Sequence, residues 1–211
     1  MADLRRLSEA LQRGDVEQVK KLTREALTDG LSPGEILANG LIAGMDVVGV
    51  RFKSGDMFFP EVLVAAKAMH GGLEVLKPKL VETGVKPVGK MVLGTVKGDL
   101  HDIGKNMVGM MFEGAGFEVM DIGIDCPPEK FVEAARGEGV QIVGMSALLS
   151  TTMQSMKATM DGLRAAGLTR KVRTIIGGAV VSQKFADEIG ADGYAPDAAS
   201  AVDKARKLIG L

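Results

Sequence analysis

The feature that most constrains this chain is an alternation confined to its second half. Apolar runs stand at residues 91–96 (MVLGTV), 117–123 (FEVMDIG), 141–147 (QIVGMSA) and 172–178 (VRTIIGG), with a shorter one at 192–195 (DGYA). Each run precedes a segment of helical periodicity. Strands that alternate with helices predict a parallel sheet with helices on both faces, joined by right-handed crossovers. Five such units predict a flavodoxin-like, Rossmann-like α/β domain with a five-stranded parallel sheet. In that fold ligands bind at the carboxyl ends of the strands. The loops expected there are 97–102, 123–128, 146–152, 177–180 and 195–197.

The first half has a different grammar. Leu4, Leu7 and Leu11 recur at helical spacing. Asp15 can cap a second helix that carries Val16, Val19, Leu22 and Ala26 on one face. Ser32-Pro33-Gly34-Glu35 is a helix-start signature, and Leu37, Leu41, Met45, Val48 and Phe52 follow it. A fourth helix is expected from about Pro60, burying Val62, Leu63, Ala66, Met69, Leu73 and Leu76. The expectation is an all-α four-helix bundle over residues 1–88. Residues 77–90, with two prolines, read as a linker, and 89–211 as the α/β domain.

Composition narrows the function. The formal net charge is −1 over 211 residues, so nothing argues electrostatically for nucleic acid or an anionic membrane. Cys126 is the single cysteine, which excludes an internal disulfide and fits a reducing compartment. The N-terminus has no apolar signal-peptide core, and no run is long enough to span a bilayer. A cytoplasmic protein is expected.

Among the loops, the first is the most unusual. Where a glycine-rich phosphate loop would stand, the chain has KGDLHDIGKN, with Asp99, His101 and Gly104 in the pattern Asp-x-His-x-x-Gly. A metal-bound histidine normally donates its other ring N–H to a carboxylate, and Asp99 is placed to accept it. One histidine cannot hold zinc by itself, because a zinc site needs three or four protein ligands. No cysteine pair or second local histidine is present. If His101 binds a metal, the remaining ligands must come from a cofactor, which points to a macrocycle with one protein axial ligand. The third loop carries Ser146, Leu148, Ser150, Thr151 and Thr152, and the fourth carries Gly177-Gly178.

At these residues the chain resembles the cobalamin-binding domains that hold their cofactor base-off and His-on. GDLHDIG, Ser146-x-Leu148 and Gly177-Gly178 together carry the resemblance. It implies a cofactor of the cobalamin type (methylcobalamin and cob(I)alamin, or a related corrinoid), with His101 as the lower ligand to cobalt. It implies a slot for the nucleotide tail lined by Gly98, Asp99, Leu100, His101, Asp102, Ile103 and Gly104. Ser146, Leu148, Ser150, Gly177 and Gly178 would complete that slot. Ser146 would bond the benzimidazole and Leu148 would pack on it. Asp99 would share a proton with His101, and Thr152 would pass it outward. Thr152 stands where the family's methionine synthase has a serine.

The segment 47–78, VVGVRFKSGDMFFPEVLVAAKAMHGGLEVLKP, resembles the helical cap of corrinoid methyl carriers in methanol, methylamine and methoxyarene systems. That match implies that Phe52, Phe59 and Val62 cover the methyl-bearing face of the corrin. It implies a non-catalytic carrier with two partners, a substrate:corrinoid methyltransferase and a methyltransferase acting on tetrahydrofolate or coenzyme M. A corrinoid-reactivating protein is implied as well, with no nucleic acid or membrane partner. Two other readings stay open on the residues alone, a cobalamin-binding sensor and a flavodoxin-like carrier. His70 reads as a surface or satisfied residue, the 13 methionines as core filling, and Asp102 and Lys105 as solvating the helix start.

Overall fold

A computed structural model describes residues 3–211. The chain forms two compact units: residues up to Val88 together with Glu113–Gly116, and Gly89–Phe112 together with Phe117–Leu211.

The first unit is helical. Helix α1 (Leu4–Gln12) starts at Asp3, whose carboxylate accepts the N–H of Arg5, and α2 (Val16–Thr28) starts at Asp15, which accepts that of Gln18. These are capping bonds, each satisfying one orphan donor of the first turn. The third helix is not uniform. It begins as α3 (Pro33–Ile36), capped by Ser32, widens into a π-helical segment (Leu37–Ile42), and continues as α4 (Ala43–Ser54). A π turn holds one residue more than an α turn. That extra residue shifts the buried face, so Ile36 reaches the core where α-helical spacing predicts Leu37. Leu41, Met45 and Val48 are buried as expected.

Helix α5 (Phe59–Glu82) buries Val62, Ala65, Ala66, Ala68, Met69 and Leu76, while Leu63 and Leu73 lie only half-buried. The expected linker 77–90 is too long at its start. Pro78 falls in the last turns of α5, and the helix continues to Glu82. There the Thr83 hydroxyl donates to the Lys79 carbonyl at 2.8 Å. A proline this near the end gives up one backbone bond without stopping the helix.

The second unit has five parallel strands: β1 (Lys90–Val96), β2 (Glu118–Cys126), β3 (Val140–Ser146), β4 (Arg173–Gly177) and β5 (Gly193–Ala195). Their order is β2-β1-β3-β4-β5. The chain therefore reverses direction of growth between β1 and β3, which is the topological switch point of this fold. Helices α6 (Ile103–Gly114), α7 (Pro128–Ala135), α8 (Met153–Ala165), α9 (Gln183–Ile189) and α10 (Ala198–Leu208) connect or follow the strands. Val92, Val143, Met145 and Ile176 from the sheet pack with Phe131, Met156, Met160 and Leu163 from α7 and α8.

Strand β2 runs three residues past the apolar run that signals it. It does so with two irregularities in its pairing to β1, between Leu93 and Gly94 and between Gly94 and Val96. It is an edge strand, where bulges are tolerated because one side of the ladder has no partner to disturb.

Candidate functional site

Strand β1 ends at Val96, and the turn 97–102 leads into α6. Asp99 in this turn is fully buried. Its Oδ2 accepts the N–H of Leu148 at 2.7 Å, that of Leu149 at 3.3 Å and the Thr152 hydroxyl at 2.8 Å. Its Oδ1 accepts the N–H of His101 at 3.1 Å and lies 2.7 Å from His101 Nδ1. Burial by itself would raise the Asp99 pKa. The Leu148 N–H, the His101 imidazole, the Thr152 hydroxyl and the His101 N–H outweigh it and hold the carboxyl well below the usual carboxylate range.

That ionised carboxylate fixes the imidazole. A carboxylate without a proton can only accept, so Nδ1 must carry the hydrogen. In the neutral imidazole Nε2 then carries the lone pair. Half of the His101 side chain is exposed, and Nε2 has no hydrogen-bond partner among the described residues. The ring is thus an oriented, solvent-facing nitrogen ligand. Leu100 and Ile103, in the same turn as His101, are exposed apolar side chains at 67% and 69%, and Ile124, Leu148 and Leu149 are exposed to a lesser degree.

The sheet register assembles the rest. Thr95, Ser146 and Gly177 face one another in a row across β1, β3 and β4. The first, third and fourth loops therefore meet, as the spacing of the motifs predicts. Ser146 is half-buried and its hydroxyl makes no hydrogen bond among the described residues. Ser150 is exposed in the turn before α8. Gly178 has φ +126°, and a Cβ there would lie 1.9 Å from the Ala147 carbonyl oxygen. Asp102 is exposed, and its carboxylate accepts from the Asn106 amide at 3.2 Å.

Phe52 and Phe59 are half-buried in the helical unit, and Val62 is fully buried there. Val62 shares the inward face of α5 with Ala65, Ala66 and Met69. Phe58, just before α5, is the exposed aromatic at 68%. Lys105 does not solvate the start of α6. It is buried and ion-paired with Asp121, and its ammonium also reaches Asn106 Oδ1 at 2.7 Å. Asp121 is adjacent to the first bulge of β2, which no periodicity signals. Thr152 is also buried. Cys126 is buried, with Sγ donating to the Ile122 carbonyl at 3.1 Å, and burial pushes its thiol up. It is an inert thiol. His70 pairs with Glu113 at 3.2 Å, and the Glu113 hydrogen bond raises its pKa.

Two positioning groups were not legible in the sequence. The buried Thr95 hydroxyl donates to the His101 carbonyl at 2.9 Å, and Ser155 on α8 donates to the Lys97 carbonyl at 2.9 Å. A threonine in a strand and a serine in a helix give no local signal for such long-range bonds.

Among the described residues, no three His, Cys, Asp or Glu side chains come together as a metal-holding group. A metal at His101 must therefore bring its own remaining ligands. Comparison with known proteins agrees. One family model, described as a B12 binding domain, matches residues 89–203, and a second model of the same description matches 3–77. The chain belongs to the B12-binding corrinoid protein family. It is 42% identical to a corrinoid protein of Desulfitobacterium hafniense over 100% of this chain and 99% of that one. It is 48% identical to the dimethylamine corrinoid protein of Methanosarcina barkeri, covering 85% of this chain and 84% of that one. The solved methanol:cobalamin methyltransferase complex of Methanosarcina barkeri contains a chain 31% identical, with a TM-score of 0.86 over 98% of this chain and 79% of that one. Among the described residues, no helix is long and apolar enough to cross a membrane.

Gly104 tests whether this corrinoid protein's own residues fit the cofactor. A Cβ built at Gly104 meets no atom within 4 Å, and its φ is not positive. Nothing in the chain requires glycine there, although glycine costs a helix roughly 0.5–1 kcal/mol relative to alanine. The open space beside His101 suits close approach of a ligand. Gly104→Ala is therefore expected to stabilise the cofactor-free protein by a few tenths of a kcal/mol, while weakening its cobalamin binding. Urea unfolding and a cobalamin titration read the two effects separately.

Proposed function

We propose that this chain is a methyl carrier that receives a methyl group from one methyltransferase and delivers it to another. The observation that carries the reading is His101: its Nδ1–H is committed to a buried carboxylate, its Nε2 is free, and no second protein ligand stands near. A corrinoid, when bound, supplies a cobalt that accepts a methyl group and gives it up. His101 would ligate that cobalt through Nε2. Asp99 would keep the proton on Nδ1 and prevent the ring from turning. The five bonds to Asp99 make that orientation independent of the ligand, so little ordering remains to be done on binding.

Thr152 serves here as an anchor that keeps Asp99 ionised. Leu100, Ile103 and Leu148 would cover the apolar parts of the lower side, and Ser146, Ser150, Gly177 and Gly178 would leave room for the nucleotide tail. Phe52 and Phe59 would face the upper side. Residues 83–89, between α5 and β1, would act as the hinge between a helical cap over 1–88 and the cobalamin domain over 89–211. The setting is cytoplasmic. The similarity to a dimethylamine corrinoid protein supports a methylated amine as the source of the methyl group.

The test is a transfer assay. Cobalamin-loaded protein is incubated with candidate methyltransferases and, in turn, dimethylamine, trimethylamine and methanol. Methylation of the bound corrinoid, followed by absorbance, is expected with one pairing. A protein that takes up no cobalamin, or is methylated under none of these conditions, contradicts the carrier reading.

A further inference from the structure

Among the described residues, Asp125 is the single non-glycine with a positive φ, at +50°. Glycine adopts this backbone freely, and aspartate is one of few other residues that tolerate it. A strained position is retained when the surrounding structure uses it. What aspartate adds over glycine here is its carboxylate. Oδ1 accepts the N–H of Gly98 at 2.7 Å, and the Asp125 N–H donates to the Asp99 carbonyl at 3.0 Å. The two bonds grip the start of the turn that carries His101.

The strand delivers Asp125 to that spot. From Gly94 to Val96 on β1 there are two steps, while their partners Gly123 and Cys126 on β2 are three steps apart. The extra residue makes a bulge, and bulges re-aim side chains beside functional sites. Asp125 is exposed, so its carboxylate neither fills the core nor balances a buried charge. At the other end of the turn, Thr95 holds the His101 carbonyl at 2.9 Å. The turn is thus clamped from β2 at Gly98–Asp99 and from β1 at His101.

We propose that Asp125 is a positioning residue for His101, acting through Gly98 and Asp99 to set the height and tilt of the imidazole. It rests on the reading of His101 as the cobalt ligand. Asp125 makes no hydrogen bond to the imidazole itself; its partners are Gly98 and Asp99. Its left-handed backbone is the strain that the clamp requires.

The test compares Asp125→Gly with Asp125→Asn. The glycine variant relieves the backbone and removes only the carboxylate, while the asparagine variant keeps an acceptor oxygen and tolerates the same backbone. In the cofactor-free protein, amide exchange at Gly98 is expected to quicken by about tenfold in Asp125→Gly, the scale of a lost bond to a charged acceptor. After loading with cob(II)alamin, the electron paramagnetic resonance spectrum of Asp125→Gly is expected to contain a fraction without axial-nitrogen splitting. Asp125→Asn should restore both readouts, and thermal unfolding should be no worse in Asp125→Gly than in the parent. Unchanged Gly98 exchange or full nitrogen splitting in Asp125→Gly overturns the proposal, as does absence of rescue by asparagine. An Asp125→Gly chain that fails to fold also overturns it, since Asp125 would then be structural. Absence of splitting in the unsubstituted protein is a different failure, that of the His101 reading.

Discussion

Asp99→Ala is expected to destabilise the protein by about 3–5 kcal/mol, measured by urea unfolding, and to abolish its tight cobalamin binding. The size follows from what the carboxylate holds. Leu148, Leu149, Thr152 and His101 all donate to it, the first two through backbone N–H groups and His101 through both its backbone N–H and its ring. Removing the acceptor leaves several donors unpaired in a buried place, each costing about 1–3 kcal/mol before relaxation. The loss spreads beyond stability because those bonds tie the first loop to the third. Asp99→Asn keeps the shape but not the charge, and should fall between the two. It also tests a pH effect. The folded carboxyl is held well below the usual range, while in the unfolded chain it titrates near about 4. As pH drops below that value, the unfolded chain takes up the proton first. The contribution of Asp99 is therefore full above about pH 4 and is lost as pH falls toward the folded value. The acid limb of the stability profile should be flatter in Asp99→Asn than in the parent.

Gly178→Ala is expected to have the second largest effect, about 3 kcal/mol or more by the same unfolding measurement, from a single methyl group. The added carbon would lie 1.9 Å from the Ala147 carbonyl oxygen, which is backbone and has little freedom to retreat. The φ of +126° is in addition a region that residues with a Cβ avoid. Relief requires moving the β3–α8 connection away from β4. That connection carries Leu148, Leu149 and Thr152, which hold Asp99. Gly178→Ala should thus weaken cobalamin binding without touching the first loop. Gly177→Ala is milder, because its Cβ would meet the Ala195 carbonyl at 3.1 Å.

The legible parts of this fold are those written in local patterns. Strand runs followed by helical periodicity predicted the parallel sheet, because that alternation has few packing solutions. Asp-x-His-x-x-Gly was legible for a similar reason: Asp99 and His101 are two residues apart, so their pairing needs only a turn. The illegible parts depend on register. Thr95, Asp125 and Ser155 meet the His101 turn because of how strands and helices align, and each residue looks ordinary in its own segment. The π segment in the third helix shifts one face by one residue, and no apolar period signals it. Val62 was legible as an inward-facing residue of α5, because it stands at helical spacing with Ala65, Ala66 and Met69. Lys105 reads from sequence as a solvated helix-start lysine, and only the bulge in β2 that presents Asp121 explains its burial.

The central claim is that His101 Nε2 is the cobalt ligand, and nitrogen isotope labelling tests it most directly. An axial nitrogen splits the electron paramagnetic resonance lines of bound cob(II)alamin, into triplets for nitrogen-14 and doublets for nitrogen-15. The chain has two histidines, His70 and His101, so labelling histidine alone and replacing each in turn assigns the ligand. The account predicts doublets in the labelled protein, retained in His70→Gln and absent in His101→Ala. Triplets in the labelled protein, or doublets that survive His101→Ala, would contradict it.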